Sequence, residues 1–166
     1  RYEGGFGKTV IMAVAYSLWE LARGETYIIH TAADSELADE RTRFLHHELS
    51  QNRRLLSDFP ELRPRDVDTQ DFFLKNKARV RARGITQGHR GTFNPLNGKR
   101  PGLIVCDDID QSANIGSDRV GRQKMTKIIE EIAGALDPQT PGRVIWLGNL
   151  VHPNYEILEF TDLIVG

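Results

Sequence analysis

The run Gly102-Leu103-Ile104-Val105-Cys106-Asp107-Asp108 limits the fold more than any other stretch of the sequence. Its apolar residues follow one another without polar alternation. Such a strand must be covered on both faces, as in parallel sheets enclosed by helices. A parallel sheet in turn requires crossover connections, and the chain supplies candidates on both sides of this run. Thr26-Tyr27-Ile28-Ile29-His30-Thr31 and Arg143-Val144-Ile145-Trp146-Leu147 read as further strands. Val10, Ile11, Val14, Leu18 and Leu21 recur at helical spacing and stop at Gly24. Asp34 or Ser35 can cap a helix that carries Leu37, Phe44, Leu45 and Leu49 inward. A third helix is predicted over about 118–136, with Met125, Ile128, Ile129, Ile132, Ala133 and Leu136 on one stripe.

Two segments are less regular. Residues 52–71 are polar and include Pro60 and Pro64, which predicts a connection with at most a short helix. From Phe72 to Arg83, Lys75, Lys77, Arg79, Arg81 and Arg83 share one parity, while Ala78, Val80 and Ala82 share the other. That alternation predicts a single strand with one basic face. No acidic residue occurs between Phe72 and Cys106, although the chain as a whole carries a formal net charge of −1. The net charge argues against binding nucleic acid through overall positive charge, but a local basic ribbon could follow a phosphate backbone. The competing reading is the solvated face of a sheet edge.

At 166 residues, with 39% hydrophobic and 27% charged residues, the chain suits one globular domain spanning 1–166. The lone Cys106 excludes a disulfide within the chain and fits a reducing setting. No apolar stretch approaches the ~20 residues of a membrane-spanning helix. The five histidines lack the cysteine spacing of a zinc site.

Four places can carry chemistry. Gly4-Gly5-Phe6-Gly7-Lys8-Thr9 leads into the first helix, as a phosphate-binding loop does. Its backbone N–H groups would cradle phosphates, Lys8 would reach the outer ones and Thr9 would hold Mg²⁺. Tyr2 stands where the full pattern begins with glycine, so an ordinary turn before a helix is the alternative. At the end of the apolar strand, Asp107 suits anchoring Mg²⁺ and Asp108 suits orienting the attacking water. Asp110 fits either such a role or a turn. Asn149, just beyond the last strand, could direct an amide at the outer phosphate. Arg90, within Gln87-Gly88-His89-Arg90-Gly91, could act as an arginine finger.

These residues, in this order, resemble the ATPase domain of tailed-phage large terminase subunits. The resemblance rests chiefly on Ile85-Thr86-Gln87-Gly88-His89-Arg90-Gly91 and on Arg100-Pro101-Gly102-Leu103-Ile104-Val105-Cys106-Asp107-Asp108. It implies an α/β, three-layer P-loop NTPase fold of RecA/ASCE type, with a mostly parallel sheet and a core strand upstream of the glycine loop that this chain would lack. It implies Mg²⁺-dependent ATP hydrolysis driving double-stranded DNA into a procapsid. The portal protein and small terminase subunit would be partners, in a homo-oligomeric ring on the portal, without a membrane and in the host cytoplasm. By motif position, Gly4, Gly5, Gly7, Lys8 and Thr9 would bind ATP and its Mg²⁺, Asp107 and Asp108 would form the acidic pair, and Gly148-Asn149 would be the coupling motif. The family's P-loop arginine falls on Gly4 here, so a guanidinium would have to come from Arg1, Arg90 or a neighbouring subunit. A downstream nuclease domain would lie outside this chain, which alone would bind and hydrolyse ATP poorly. A helicase or DNA translocase, or an inactive binding module of the same fold, are the alternatives.

Overall fold

A computed structural model describes residue 7, residues 10–109, 119–138 and 141–147, with the backbone alone for 119–125. Gly4, Gly5, Lys8, Thr9, Asp110 and Asn149 lie outside these residues. The chain is an α/β structure with a five-stranded sheet of order β2-β3-β1-β4-β5. The strands are β1 (Tyr27–Ala32), β2 (Asp71–Phe73), β3 (Arg79–Gly84), β4 (Leu103–Asp107) and β5 (Arg143–Leu147). β3, β1, β4 and β5 run parallel, and only β2 is antiparallel. This architecture is compatible with a P-loop NTPase-like fold.

The helices are α1 (Tyr16–Ala22), entered from a π-helical turn at Val10–Ala15, then α2 (Ser35–Gln51), α3 (Arg53–Asp58) and α4 (Arg119–Ala133). Asp34 caps α2 by accepting a hydrogen bond from the Leu37 N–H at 2.9 Å. Asn52 caps α3 in the same way through Leu55 at 3.1 Å. Val14, Leu21, Leu45 and Leu49 pack against Ile28, Val80, Leu103 and Val105 on one sheet face. On the other face Ile132, Ala135, Ile128 and Leu136 cover Tyr27, Ile29, Ile104 and Cys106. Both faces of β1 and β4 are therefore dry, as their continuous apolar sequence requires. No described helix is long and apolar enough to cross a membrane.

Several expectations need correction. The stretch from Phe72 to Arg83 is a hairpin and not one strand: β2 and β3 pair antiparallel, with Phe72 opposite Val80. The chain reverses where Leu74 donates to the Ala78 carbonyl at 2.8 Å, Asn76 caps Ala78 at 2.9 Å, and Lys77 takes a left-handed φ of 70°. Lys75 and Lys77 thus belong to the turn, and only Arg79, Arg81 and Arg83 share the strand's basic face. Phe44 and Ile11 are exposed, because the buried row of α2 runs through Ala38, Thr42, Leu45 and Leu49, and Ile11 lies in the π-helical turn. Leu37 is only half-buried, and Ala133 at the end of α4 is exposed.

The topology singles out one edge. β1 connects through α2 to β3 on one side, whereas β4 connects through α4 to β5 on the other. The direction of winding therefore reverses between β1 and β4, and ligands of open α/β sheets gather beyond the carboxyl ends of strands at such a reversal. The registers Gly84↔Ala32, Ala32↔Asp107 and Asp107↔Leu147 bring four strand ends into line there. Gly84 permits the close turn into this edge, since a Cβ would stand 3.0 Å from the Ser35 backbone nitrogen and 3.2 Å from the Asp34 carbonyl carbon.

Candidate active site

Asp107 closes the fully buried β4 and is itself only 4% exposed. An isolated carboxylate at that depth would be costly. Arg41, projecting from α2, meets this demand: its Nε donates to Asp107 Oδ2 at 2.9 Å, and its Nη2 lies 3.9 Å from Asp108 Oδ2. A third contact runs from Nη1 to Glu40 at 3.2 Å. One guanidinium thus spans the acid pair.

Asp108 leaves the strand with a left-handed φ of 49° and donates its N–H to the Leu147 carbonyl at 3.2 Å. That conformation is uncommon outside glycine, and aspartate is among the residues that tolerate it. The twist turns the Asp108 side chain, 34% exposed, away from the buried path of Asp107. Two adjacent acids of one strand consequently sit in different surroundings, one dry and ion-paired, the other open to solvent.

His30 lies beneath this edge on β1, fully enclosed and 3.0 Å from the Ser17 hydroxyl through Nε2. Burial, followed by the nearby Arg41 charge, pushes its pKa down to about 4. It is a neutral core residue. The Cys106 thiol, buried and next to Asp107, is pushed well above its usual range, which makes it unreactive.

Arg90 takes another place. Its guanidinium pairs with Glu131 of α4 at 3.4 Å and reaches the Glu130 carbonyl at 3.4 Å. It lines a cavity of about 540 Å³ with Arg79, Arg81 and Arg83. No described ion pair joins it to Asp107 or Asp108, whose guanidinium partner is Arg41.

Arg41 escaped the sequence reading, although a signal was present. It falls four residues after Leu37 and four before Leu45, so a charge interrupts the inward row of an amphipathic helix. Asp71 was missed as well. It stands one residue ahead of the acid-free stretch and binds both Nε and Nη2 of Arg79, at 2.7 and 2.6 Å, as well as Arg81 at 3.2 Å.

The carboxylate oxygens of Asp107 and Asp108 are the donor type that a hard divalent cation such as Mg²⁺ takes, through one or two carboxylates and several waters. Asp107 is held there by Arg41, whose guanidinium a bound cation would have to displace. Among the described residues no set of three or more His, Cys, Asp or Glu side chains converges as a protein-only cage.

The sequence is 27% identical over 168 residues to the terminase large subunit of Enterobacteria phage T3, covering 96% of this chain. The chain spans about a quarter of that protein's length (26%). No protein-family model matches the sequence. The likeness supports a terminase-like relationship.

Proposed function

We propose that this chain is the nucleotide-hydrolysing part of a viral DNA-packaging motor, coupling Mg²⁺-dependent ATP hydrolysis to movement of double-stranded DNA into a procapsid. The observation that carries the reading is the acid pair Asp107-Asp108 at the carboxyl edge where the sheet's winding reverses. Likeness to a terminase large subunit supplies the biological setting.

In this reading residues 1–166 form one ATPase domain. Asp107 and Thr9 would hold Mg²⁺, which when bound supplies neutralising charge for the outer phosphates. Gly4, Gly5 and Gly7 would offer backbone N–H groups to the phosphates, and Lys8 would hold the outermost one. Asp108, the more open acid, would orient the attacking water and accept its proton. Asn149 would direct its side-chain amide at the outer phosphate. Portal protein, small terminase subunit and further copies of the chain would complete the assembly, with Arg90 available to a neighbouring copy's nucleotide.

Turnover of Mg·ATP with and without duplex DNA tests this, using the full-length protein that carries these residues and its Lys8→Ala, Asp108→Asn and Asp110→Asn forms. Lys8→Ala should abolish turnover with the fold intact. Asp108→Asn should bind Mg·ATP and turn over at least about a hundredfold more slowly, the usual span of a lost general base. Full activity in Asp108→Asn alongside loss in Asp110→Asn would assign the water role to the other acid. Retained activity in Lys8→Ala would end the phosphate-loop assignment.

A further inference from the structure

The opposite sheet face holds a second charged feature, apart from the acid pair. Arg79, Arg81 and Arg83 alternate with Val80 and Ala82, and Arg79 pairs in register with Tyr27, so the three arginines lie on the α4 side of the sheet while Arg41 and α2 occupy the other. Together with Arg90 they border the cavity of about 540 Å³, whose rim includes Phe93.

The four guanidiniums are unequal. Arg79 is committed to structure: it binds Asp71 through two nitrogens, donates to the Phe93 carbonyl at 2.7 Å and lies over the Tyr27 ring at 5.2 Å. Arg81 shares the same Asp71 carboxylate at 3.2 Å. Arg83 donates to the Gly88 carbonyl, and no described ion pair links it to a carboxylate. Arg90 has Glu131 at 3.4 Å and remains 59% exposed. Among the described residues two carboxylates thus face four cations. The excess charge has a cost, for burial and then the neighbouring Arg81 charge both disfavour protonated Arg83. An anion entering the cavity would relieve it.

The cavity wall is firm. Asn94, fully buried, donates to the carbonyls of Thr26 and Lys77 at 3.0 and 2.8 Å, and Thr92 donates to the His89 carbonyl at 2.8 Å. Arginines two residues apart on a strand are ~6.6 Å apart along it, a spacing suited to separate phosphates of a chain. Phe93, 54% exposed beside them, offers an apolar surface to a sugar or base.

We propose that Arg81, Arg83 and Arg90 form a binding site for the phosphate backbone of a nucleic acid, read without regard to sequence and separate from the acid edge. The proposal takes from the hydrolysis reading only that a nucleic acid is present. Its test needs no turnover, so the two can fail independently.

The test is fluorescence anisotropy of a labelled duplex of arbitrary sequence with the 166-residue chain, in the absence of nucleotide and across a range of salt. The expected slope of log K against log salt is about −2 to −3, as three phosphate contacts dictate. Replacing Arg81, Arg83 and Arg90 together by Gln should weaken binding at least about tenfold at low salt and remove most of that slope. The exposed pair Arg54→Gln and Arg65→Gln should bind like the parent. Arg83→Gln alone, which breaks no described ion pair, should lower affinity about threefold and flatten the slope by about one, so the proposal stays open to refutation even where the triple variant melts early. Parental affinity and slope in Arg83→Gln and the triple variant would overturn the proposal. So would competition of Mg·ATP with the duplex, lost in Arg83→Gln, because the phosphates would then be those of a nucleotide.

Discussion

Acidification should unfold this protein largely through two histidines. His30 and His89 are 1% and 0% exposed, each bonded through Nε2 to a hydroxyl, of Ser17 at 3.0 Å and Thr31 at 3.2 Å, and neither Nδ1 has a hydrogen-bond partner among the described residues. Burial, then Arg41 for His30 and Arg83 for His89, depresses both pKa values to about 4. An unfolded histidine titrates near 6.5, so the unfolded chain takes up these protons first. The stabilisation is complete above pH ~6.5 and is lost as pH falls from there towards ~4. Between these values the loss at pH 5 is about 2 kcal/mol per histidine, or about 4 kcal/mol for both. That is a large share of the roughly 5–15 kcal/mol that holds a domain together. Urea unfolding followed by circular dichroism at neutral pH and at pH 5 reads the difference, and carboxylate contributions cancel when variants are compared. His30→Gln and His89→Gln should each remove about half of the pH-dependent loss, whatever they cost at neutral pH. If the double variant loses as much stability as the parent between the two conditions, these histidines are not neutral in the fold and the reasoning fails.

Three further outcomes follow from the geometry. Arg41→Gln should destabilise by about 1–3 kcal/mol, below the usual cost of an unpaired buried charge because Arg41 is 20% exposed, and Asp107→Asn should recover part of it in a double-mutant cycle read by urea unfolding. Glu20→Gln should cost a similar amount: Glu20, 3% exposed on α1, binds Arg143 of β5 and, despite burial that would raise its pKa, is held below the usual carboxylate range by hydrogen bonds from Arg143 and Tyr16. No change in melting temperature would show that this link between α1 and β5 is absent in solution. Gly84→Val should lower the melting temperature by several degrees, since the added Cβ meets backbone and not a movable side chain, and an unchanged melt would place the β3 end farther from α2.

Sequence revealed the central strands because burial on both faces leaves an unbroken apolar run, as in Ile28-Ile29 and Leu103-Ile104-Val105. It concealed the hairpin because parity survives a turn: Lys75 and Lys77 keep step with Arg79, although the chain has reversed between them and β2. The acids were legible as the end of a strand. Their cationic partner was not, because Arg41 and Asp107 are 66 residues apart and meet only once β1 has placed α2 beside β4. The arginine cleft was half legible, as composition displayed the charges of residues 79–90 but not the Asp71 and Glu131 carboxylates that answer some of them.

Helix α2 touches both halves of the molecule's charge system. Arg41 reaches the acid pair from one part of it, and Leu45 and Leu49 share a core with Val80, whose neighbours along β3 carry the guanidiniums of the cleft on the far side. A cation that displaced Arg41 from Asp107 would push on the same helix that backs the arginine strand. Any resulting linkage must be reciprocal: the factor by which an occupant of the acid edge alters affinity at the cleft equals the factor by which a bound polyanion alters affinity at the edge. Measuring either one fixes the other, and a ratio of unity would mean that the sheet insulates its two faces.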